Sequence, residues 1–205
     1  MLKVGLIDYH AGNIRSIVTA FAHLGAKTQV LQSYADSEHL THLVLPGVGA
    51  FNFCFEQLKV SGMLPMIEEW TFIKRKPILG ICVGMQLLAE SSDEMGLHSG
   101  LGWMKGKVQK LNSNEDTNIR IPHVGWNTVL FEKDFGEYTK NTERDFYFDH
   151  SHAYYSSTND QVLAKVNHGQ TFCAAIRQEN IVAVQFHPEK SQTSGMKFLQ
   201  GFLSL

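Results

Sequence analysis

The spacing of apolar and polar positions predicts alternating strands and helices in the first half of the chain. Short apolar runs followed by turn residues are typical of buried strands, and apolar residues recurring every three or four positions are typical of helices. The first helix is predicted to be capped by Asn13 and to end at Gly25. The predicted strands in this half are residues 3–8, 27–31, 42–45 and 77–81, and the other predicted helices are residues 52–60, 64–75 and 84–91. Strands separated by helices indicate a parallel sheet with right-handed crossovers.

The second half carries shorter, often alternating segments, which are typical of antiparallel hairpins. Turn residues such as His168 and Gly169 separate them. The predicted strands here are residues 107–111, 126–131, 145–148, 162–166, 172–177 and 181–186, and a last helix is predicted over about residues 194–203. Together the two halves predict an α/β fold with a mostly parallel central sheet, flanking helices and added antiparallel hairpins. No repeat or linker divides the chain, so we expect one domain over residues 1–205.

Composition narrows the class of protein. A length of 205 residues suits one α/β domain with a sizeable core. The net charge of −2 gives no indication of a nucleic-acid partner or a membrane surface, and no apolar stretch approaches the roughly 20 residues of a membrane span. The three cysteines, Cys54, Cys82 and Cys173, lie far apart, which favours a reducing cytoplasm over a disulfide scaffold.

The first candidate for chemistry is a cysteine between two glycines, in residues 80–84 (Gly-Ile-Cys-Val-Gly). It lies where a predicted strand meets a predicted helix, which matches the nucleophile elbow with cysteine in place of serine. The glycines would let strand and helix pack closely, and the helix N-terminus would favour the thiolate of Cys82. The alternative interpretation is a buried structural cysteine before a helix.

The second candidate follows a predicted strand in residues 185–189 (Gln-Phe-His-Pro-Glu). A histidine just past a strand end, His187, is well placed as a general base for a thiol on a neighbouring strand. The carboxylate of Glu189, beyond a proline that fixes the turn, could orient the imidazole and stabilise its protonated form. The alternative interpretation is a solvated turn.

The third candidate is the glycine-rich loop of residues 45–51 (Leu-Pro-Gly-Val-Gly-Ala-Phe), again just after a strand. Glycines leave backbone N–H groups unshielded and allow unusual dihedral angles. Such a loop can direct an N–H group at a developing oxyanion, together with the N–H of Val83 after the nucleophile. The alternative interpretation is a tight βα turn.

The three motifs occur in one chain, each at a predicted strand end, and in this combination the sequence resembles the class I glutamine amidotransferases. Residues 77–88 look like the nucleophile signature of that class, and residues 45–49 and 186–189 look like its partner motifs. Residues 121–127 (Ile-Pro-His-Val-Gly-Trp-Asn) and 185–191 further resemble the glutaminase subunits of imidazole glycerol phosphate synthases. The resemblance covers essentially the whole chain, from Asp8 to the last helix.

The resemblance implies an enzyme that hydrolyses L-glutamine without a cofactor or metal. Cys82 would attack the side-chain amide and form a glutamyl thioester, His187 would move the protons, and Glu189 would orient His187. The N–H groups of Val48 and Val83 would form the oxyanion hole. The residues at the family's glutamine-binding positions are Gly49, Gln86, Glu94, His150 and Ser151.

The resemblance also implies a partner subunit, because free ammonia is protonated and lost unless an acceptor site lies close by. In the family the partner is a (β/α)8-barrel cyclase of histidine biosynthesis, which forms a heterodimer with the glutaminase. Asn13, Trp126 and Lys190 match the family's interface. The alternative for Trp126 is core packing, and for Lys190 it is a solvated charge.

Two departures from the family pattern leave other interpretations open. His10 replaces a glycine of the first strand motif, and His152 replaces a tyrosine near the glutamine pocket. The partner could therefore be a sugar-nucleotide amidotransferase of surface polysaccharide synthesis, and a non-catalytic docking subunit or a hydrolase of γ-glutamyl bonds are further alternatives. His150 and His152 would face the same way on one strand, but no further pair has metal-ligand spacing, so no metal site is predicted.

Overall fold

The protein is described by a computed structural model over residues 2–32, 39–112 and 119–205. The strands are β1 Lys3–Ile7, β2 Lys27–Leu31, β3 His42–Leu45, β4 Ile78–Ile81, β5 Ser91–Ser92, β6 His98–Ser99, β7 Gly106–Lys110, β8 His123–Phe131, β9 Glu143–His150, β10 His152–Ser156, β11 Val162–His168, β12 Gln170–Gln178 and β13 Ile181–Val184. The helices are α1 Ile14–His23, α2 Phe51–Val60, α3 Leu64–Glu68, α4 Val83–Gln86 and α5 Gln192–Leu203, with a π-helical turn Glu69–Ile73 and a 3₁₀ turn Pro188–Lys190.

Within these residues the main sheet has nine strands in the order β2-β1-β3-β4-β13-β12-β11-β8-β9. The first five strands of this order pair in parallel, and the remaining pairings are antiparallel. The predicted α/β class with added hairpins is therefore confirmed, and the hairpins continue the parallel sheet. Every residue of β3, β4 and β13 is buried, as expected for central parallel strands covered on both faces.

A second sheet of four strands, in the order β10-β7-β5-β6, lies outside what the sequence pattern predicted. Strand β10 pairs with β7 in antiparallel fashion from His152 to Ser156. Because β9 ends at His150 and β10 begins at His152, the expectation that these two histidines share one strand is wrong.

The helix predicted over residues 84–91 is much shorter than expected, since α4 ends at Gln86. The carbonyl groups of the next four residues accept hydrogen bonds from a later loop instead of from a continuing helix. These bonds are Leu101 N–H to Leu87, Met104 N–H to Leu88, Gly102 N–H to Ala89 and Gly100 N–H to Glu90. The loop therefore ends α4 and directs the chain into β5.

Two other helix predictions need smaller corrections. The helix predicted over residues 64–75 is α-helical only to Glu68 and then continues as the π-helical turn. Asn13 directly precedes α1 as predicted, but its backbone is not extended and its side chain makes no capping hydrogen bond. No helix in the described part of the chain is long and apolar enough to cross a membrane.

The order of the central strands decides where the functional loops meet. Strands β3, β4 and β13 are parallel neighbours, with Leu45 beside Gly80 and Val184 beside Ile81. Their carboxyl ends therefore lie side by side, and each of the three candidate motifs follows one of them. This edge of the sheet is where ligands bind in open α/β folds.

Candidate active site

Cys82 occupies a sharp turn between β4 and α4. Its backbone angles are φ 55° and ψ −112°, a strained conformation for a residue with a side chain. The glycines of the motif are required by close packing, because a Cβ atom on Gly84 would collide with the carbonyl oxygen of Leu45, and one on Gly80 would lie 2.9 Å from the carbonyl oxygen of Gly84. The strand and helix can therefore approach closely only with glycine at both positions.

His187 lies at the end of the neighbouring strand β13 and joins Cys82 to Glu189. Its Nδ1 is 2.8 Å from Oε1 of Glu189, and both side chains are almost completely buried. Cys82 and His187 line the same cavity, and the charge of the Cys82 sulfur acts on the imidazole. Ser191 fixes the turn by donating a hydrogen bond from Oγ to the carbonyl oxygen of His187 at 2.6 Å. The structure thus brings the three expected catalytic side chains together at one edge of the sheet.

Charge keeps this imidazole protonated in spite of its burial. Burial disfavours the charged ring, but electrostatic interactions with Cys82 and with Glu189 outweigh it and raise the pKa of His187 above its ordinary value. Oε2 of Glu189 is buried and has no hydrogen-bond partner within the described ranges. The arrangement therefore favours a protonated imidazole beside the sulfur of Cys82.

A cavity of about 330 Å³ opens in front of Cys82. Its volume lies at the lower end of the range for small-molecule sites, about 300–1,000 Å³. The residues that line it are Val48, Gly49, Cys82, Val83, Gln86, Glu94, Pro122, Asp149, His150, Ser151, His152, His187 and Lys190. Every predicted catalytic, oxyanion and substrate-binding residue is therefore in the cavity wall except Glu189, which lies behind His187.

The two N–H groups expected to form the oxyanion hole are both engaged elsewhere. Val83 donates to the carbonyl oxygen of Gly47 at 3.3 Å, and Val48 donates to the carbonyl oxygen of Ala11 at 2.9 Å. One peptide unit, between Gly47 and Val48, carries both the blocking carbonyl and the diverted N–H. The oxyanion hole is therefore not formed in this conformation.

Gln86 and Glu94 are held in the cavity wall by bonds to the protein. Nε2 of Gln86 donates to the carbonyl oxygen of His152 at 2.8 Å and to Oε1 of Gln185 at 3.1 Å. Glu94 accepts the N–H of Phe51 at 2.8 Å through Oε2, and its Oε1 lies 3.5 Å from Nδ1 of His152. A carboxylate at the start of α2 is favoured by the helix dipole, which keeps a negative charge at this side of the cavity.

His150 uses both ring nitrogens within the protein. Nδ1 lies 2.8 Å from the carbonyl oxygen of His152, and Nε2 lies 3.0 Å from Nδ1 of His123. Burial lowers the pKa of His150 to about 4, so the ring is neutral near pH 7. Sequence reasoning missed His123, although it lies in the 121–127 motif that was singled out for another reason.

The predicted interface residues are all exposed, and Lys190 also lies in the cavity wall. Trp126 is 48% exposed, so the core-packing alternative is wrong. Its ring contacts Tyr147, and Nζ of Lys190 lies over the same tyrosine ring and 3.7 Å from Oδ2 of Asp149. Asn13 is exposed at the start of α1. Among the described residues no group of three potential ligands could hold a metal ion.

Comparisons of the sequence with known proteins point to the same class of enzyme as this geometry. A family model described as class I glutamine amidotransferase matches residues 5–204. The chain is 44% identical over 204 residues to the imidazole glycerol phosphate synthase subunit HisH of Zymomonas mobilis, with 98% of this chain and 94% of that protein covered. It is 41% identical over 204 residues to subunit HisH 1 of Campylobacter jejuni, with 98% and 100% covered.

Solved structures show the same fold at low sequence identity. A crystal structure of a glutamine amidotransferase matches with a TM-score of 0.76 and 19% identity, covering 98% of this chain and 97% of that chain. The structure of PurLQS from Thermotoga maritima matches with a TM-score of 0.75 and 15% identity, covering 99% and 98%.

Proposed function

This chain belongs to the class I glutamine amidotransferase family, and from its identity of 41–44% to HisH subunits we infer that it is the glutaminase subunit of an imidazole glycerol phosphate synthase. It hydrolyses L-glutamine to glutamate and ammonia, and the ammonia serves a partner subunit in histidine biosynthesis. The observation that carries this proposal is the grouping of Cys82, His187 and Glu189 at the wall of a small-molecule cavity.

In the proposed mechanism Cys82 attacks the side-chain carboxamide of glutamine. The thiolate forms a bond to the amide carbon, and His187 donates a proton to the nitrogen as the carbon–nitrogen bond breaks and ammonia leaves. His187 then removes a proton from water, which attacks the thioester and releases glutamate. Glu189 orients the imidazole and stabilises its charged form, which its contact at 2.8 Å with Nδ1 supports.

We propose that the oxyanion hole forms when the peptide between Gly47 and Val48 rotates. Rotation would turn the N–H of Val48 away from Ala11 and remove the carbonyl oxygen that now accepts from Val83. Both N–H groups could then bind the oxyanion of the tetrahedral intermediate. Each such donor contributes about 3–4 kcal/mol to transition-state stabilisation in hydrolases of this kind, so the resting conformation should have little activity.

The proposed glutamine-binding residues surround the nucleophile in the cavity. The carboxylate of Glu94 is suited to the α-ammonium group of glutamine, because it brings a negative charge into the wall. Gly49 has φ +112°, and a Cβ atom placed on it would meet no atom of the described residues within 4 Å, which leaves its backbone open to substrate. Gln86, His150 and Ser151 complete the proposed set.

We propose that the partner is a (β/α)8-barrel cyclase, bound as a heterodimer at the surface of Asn13, Trp126 and Lys190. The exposed indole and the lysine beside the cavity support this surface. The departures at His10 and His152 make a sugar-nucleotide amidotransferase the alternative partner. Stimulation of glutaminase activity by one purified candidate and not by the other distinguishes them.

Labelling with a diazoketone analogue of glutamine tests the proposed chemistry. We expect the analogue to alkylate Cys82 and abolish activity, and excess L-glutamine to protect against it. Cys82→Ala should remove labelling, whereas Cys173→Ala, which removes another buried thiol outside the cavity, should label like the wild type. Undiminished labelling and activity in Cys82→Ala would disprove the mechanism.

A further inference from the structure

Two buried histidines and an asparagine form a hydrogen-bond chain on one face of β8 and β9. His123 and His150 are direct register partners across these strands. Nδ1 of His123 lies 3.0 Å from Nε2 of His150, and Nε2 of His123 lies 3.1 Å from Nδ2 of Asn127. The ring of His123 is held between those of His168 and Phe148, with centroids 3.9 and 4.6 Å away.

The donors and acceptors of this chain can be assigned without ambiguity. The carbonyl oxygen of His152 can only accept, so Nδ1 of His150 carries the proton, and its neutral ring then accepts at Nε2. His123 must therefore donate from Nδ1. Asn127 donates to Nε2 of His123 and also to the carbonyl oxygen of Asn167 at 2.9 Å, which fixes the orientation of its amide. Each hydrogen bond is thus donated in the direction of the cavity, from Asn127 to His123, from His123 to His150, and from His150 to the carbonyl oxygen of His152.

The chain ends in the wall of the glutamine cavity. The carbonyl oxygen of His152 accepts from His150 and from Gln86, each at 2.8 Å. Gln86 also donates to Gln185, whose Nε2 lies 3.8 Å from Sγ of Cys82. One carbonyl group therefore joins the histidine chain to the side chains beside the nucleophile.

The opposite face of β8 is the proposed partner surface. Val124 and Trp126 are 55% and 48% exposed, whereas His123 is 3% exposed, because successive side chains of a strand point to opposite faces. The strand that carries the exposed indole thus also carries the first two members of the chain.

We propose that His123 and Asn127 are positioning residues for glutamine binding, because they hold the carbonyl group of His152 and the amide of Gln86 in place through His150. They do not touch the substrate, and neither belongs to the predicted set of site residues. The kinetic part of the test rests on the proposed glutaminase function, whereas the spectroscopic part does not.

The ¹⁵N NMR spectrum of histidine-labelled protein tests the assignment of protons. We expect both His123 and His150 to be neutral near pH 7 with the proton on Nδ1, opposite to the tautomer that free imidazole side chains prefer. A proton on Nε2 of either ring would overturn the proposal. This readout needs neither glutamine nor the partner, so it stands even if the proposed function fails.

Asn127→Asp should reverse the direction of hydrogen-bond donation at His123, while the shape of the side chain at position 127 changes little. A carboxylate at Nε2 of His123 can only accept. Burial, with the neighbouring His150 and His168, lowers the pKa of His123 to about 3, so we expect the ring to hold a single proton at about pH 8 even beside the new carboxylate. The single proton of His123 should then move to Nε2, leaving two acceptors facing each other between His123 and His150. In the complex with its partner we expect this variant to raise KM for glutamine about tenfold, with kcat within about threefold.

Two controls separate positioning from general damage. Asn127→Ala removes the same donor but leaves the proton on Nδ1 of His123, so KM should change by less than about threefold. Asn167→Asp makes the same charge change at an exposed neighbour and should leave KM unaltered. Equal KM values for Asn127→Asp and Asn127→Ala would contradict the proposal. If wild type hydrolyses no glutamine at all, the proposed function fails instead.

Discussion

The carboxylate of Glu189 lies 2.8 Å from Nδ1 of His187, while its other oxygen is buried without a hydrogen-bond partner in the described part of the chain. Within the described residues, His187 is thus the one hydrogen-bond partner of the Glu189 carboxylate. A buried carboxylate is costly unless it is paired, so the charge is balanced when the imidazole is protonated.

Glu189→Gln should therefore lower activity more than it lowers stability. The amide keeps the size of the side chain but loses the charge that helps to raise the pKa of His187. We expect kcat/KM to fall at least about 100-fold, since replacing the orienting carboxylate of a serine–histidine–aspartate triad lowers kcat by about 10⁴-fold. Steady-state glutaminase kinetics in the complex measure this change. The exposed Glu56→Gln is the matched control and should be indistinguishable from wild type.

Gly84→Ala should displace the glycine-rich loop from the nucleophile. Its Cβ would collide with the carbonyl oxygen of Leu45, so we expect a loss of about 1–3 kcal/mol in the free energy of unfolding and at least a tenfold fall in kcat/KM. Gly25→Ala, at a position with positive φ, meets no atom of the described part of the chain within 4 Å, so it should cost about 1–2 kcal/mol and leave activity intact. Urea unfolding and kinetics on both variants decide this; equal activity in the two would contradict it.

Stability should fall as the pH is lowered from about 6.5 to about 4. Burial lowers the pKa of His123 to about 3 and that of His150 to about 4, so the unfolded chain binds protons in this range that the folded chain does not. The stability contributed by the neutral rings is present above the unfolded pKa and is lost as the pH falls through the folded pKa.

His123→Phe should reduce this dependence by a few kcal/mol, because an aromatic ring replaces one of the two titrating groups. Urea unfolding at about pH 7 and about pH 4.5 measures the difference. His23→Gln, at an exposed position, should leave the dependence unchanged. An identical slope for wild type and His123→Phe would rule out a neutral buried pair.

Trp126→Ala should weaken binding of the partner subunit. Exposed aromatic side chains at the centre of an interface commonly contribute about 2 kcal/mol or more, so we expect Kd to rise about 30-fold. Titration calorimetry with the purified cyclase measures this. Val60→Ala, which shortens an apolar side chain that is 80% exposed elsewhere, should bind like wild type. Equal Kd values for both variants would exclude Trp126 from the interface.

Sequence patterns placed the candidate catalytic residues at one edge of the sheet, because each one follows a strand. Cys82 and His187 come after buried apolar runs, and parallel strands bring their carboxyl ends together without further information. The helix predicted after Cys82 was too long, since its end is decided by a loop that begins at Gly100 and lies outside any local pattern. Helix periodicity cannot reveal such competing N–H donors.

Other features depended on pairings that only the folded chain makes. Nothing in the neighbourhood of His123 indicates that it lies opposite His150, because the register of β8 and β9 brings them together. Likewise the expected oxyanion donors were correctly placed in the cavity wall, but their orientation depends on the carbonyl groups of Ala11 and Gly47, which side-chain patterns do not report.

The hydrogen bonds that the N–H groups of Val48 and Val83 donate in this structure are made entirely by main-chain atoms. Almost any residue other than proline supplies the same N–H group. We therefore expect position 48, whose side chain is 48% exposed, to accept varied side chains in evolution while the chemistry persists, so that a search for function by amino-acid identity alone would overlook it.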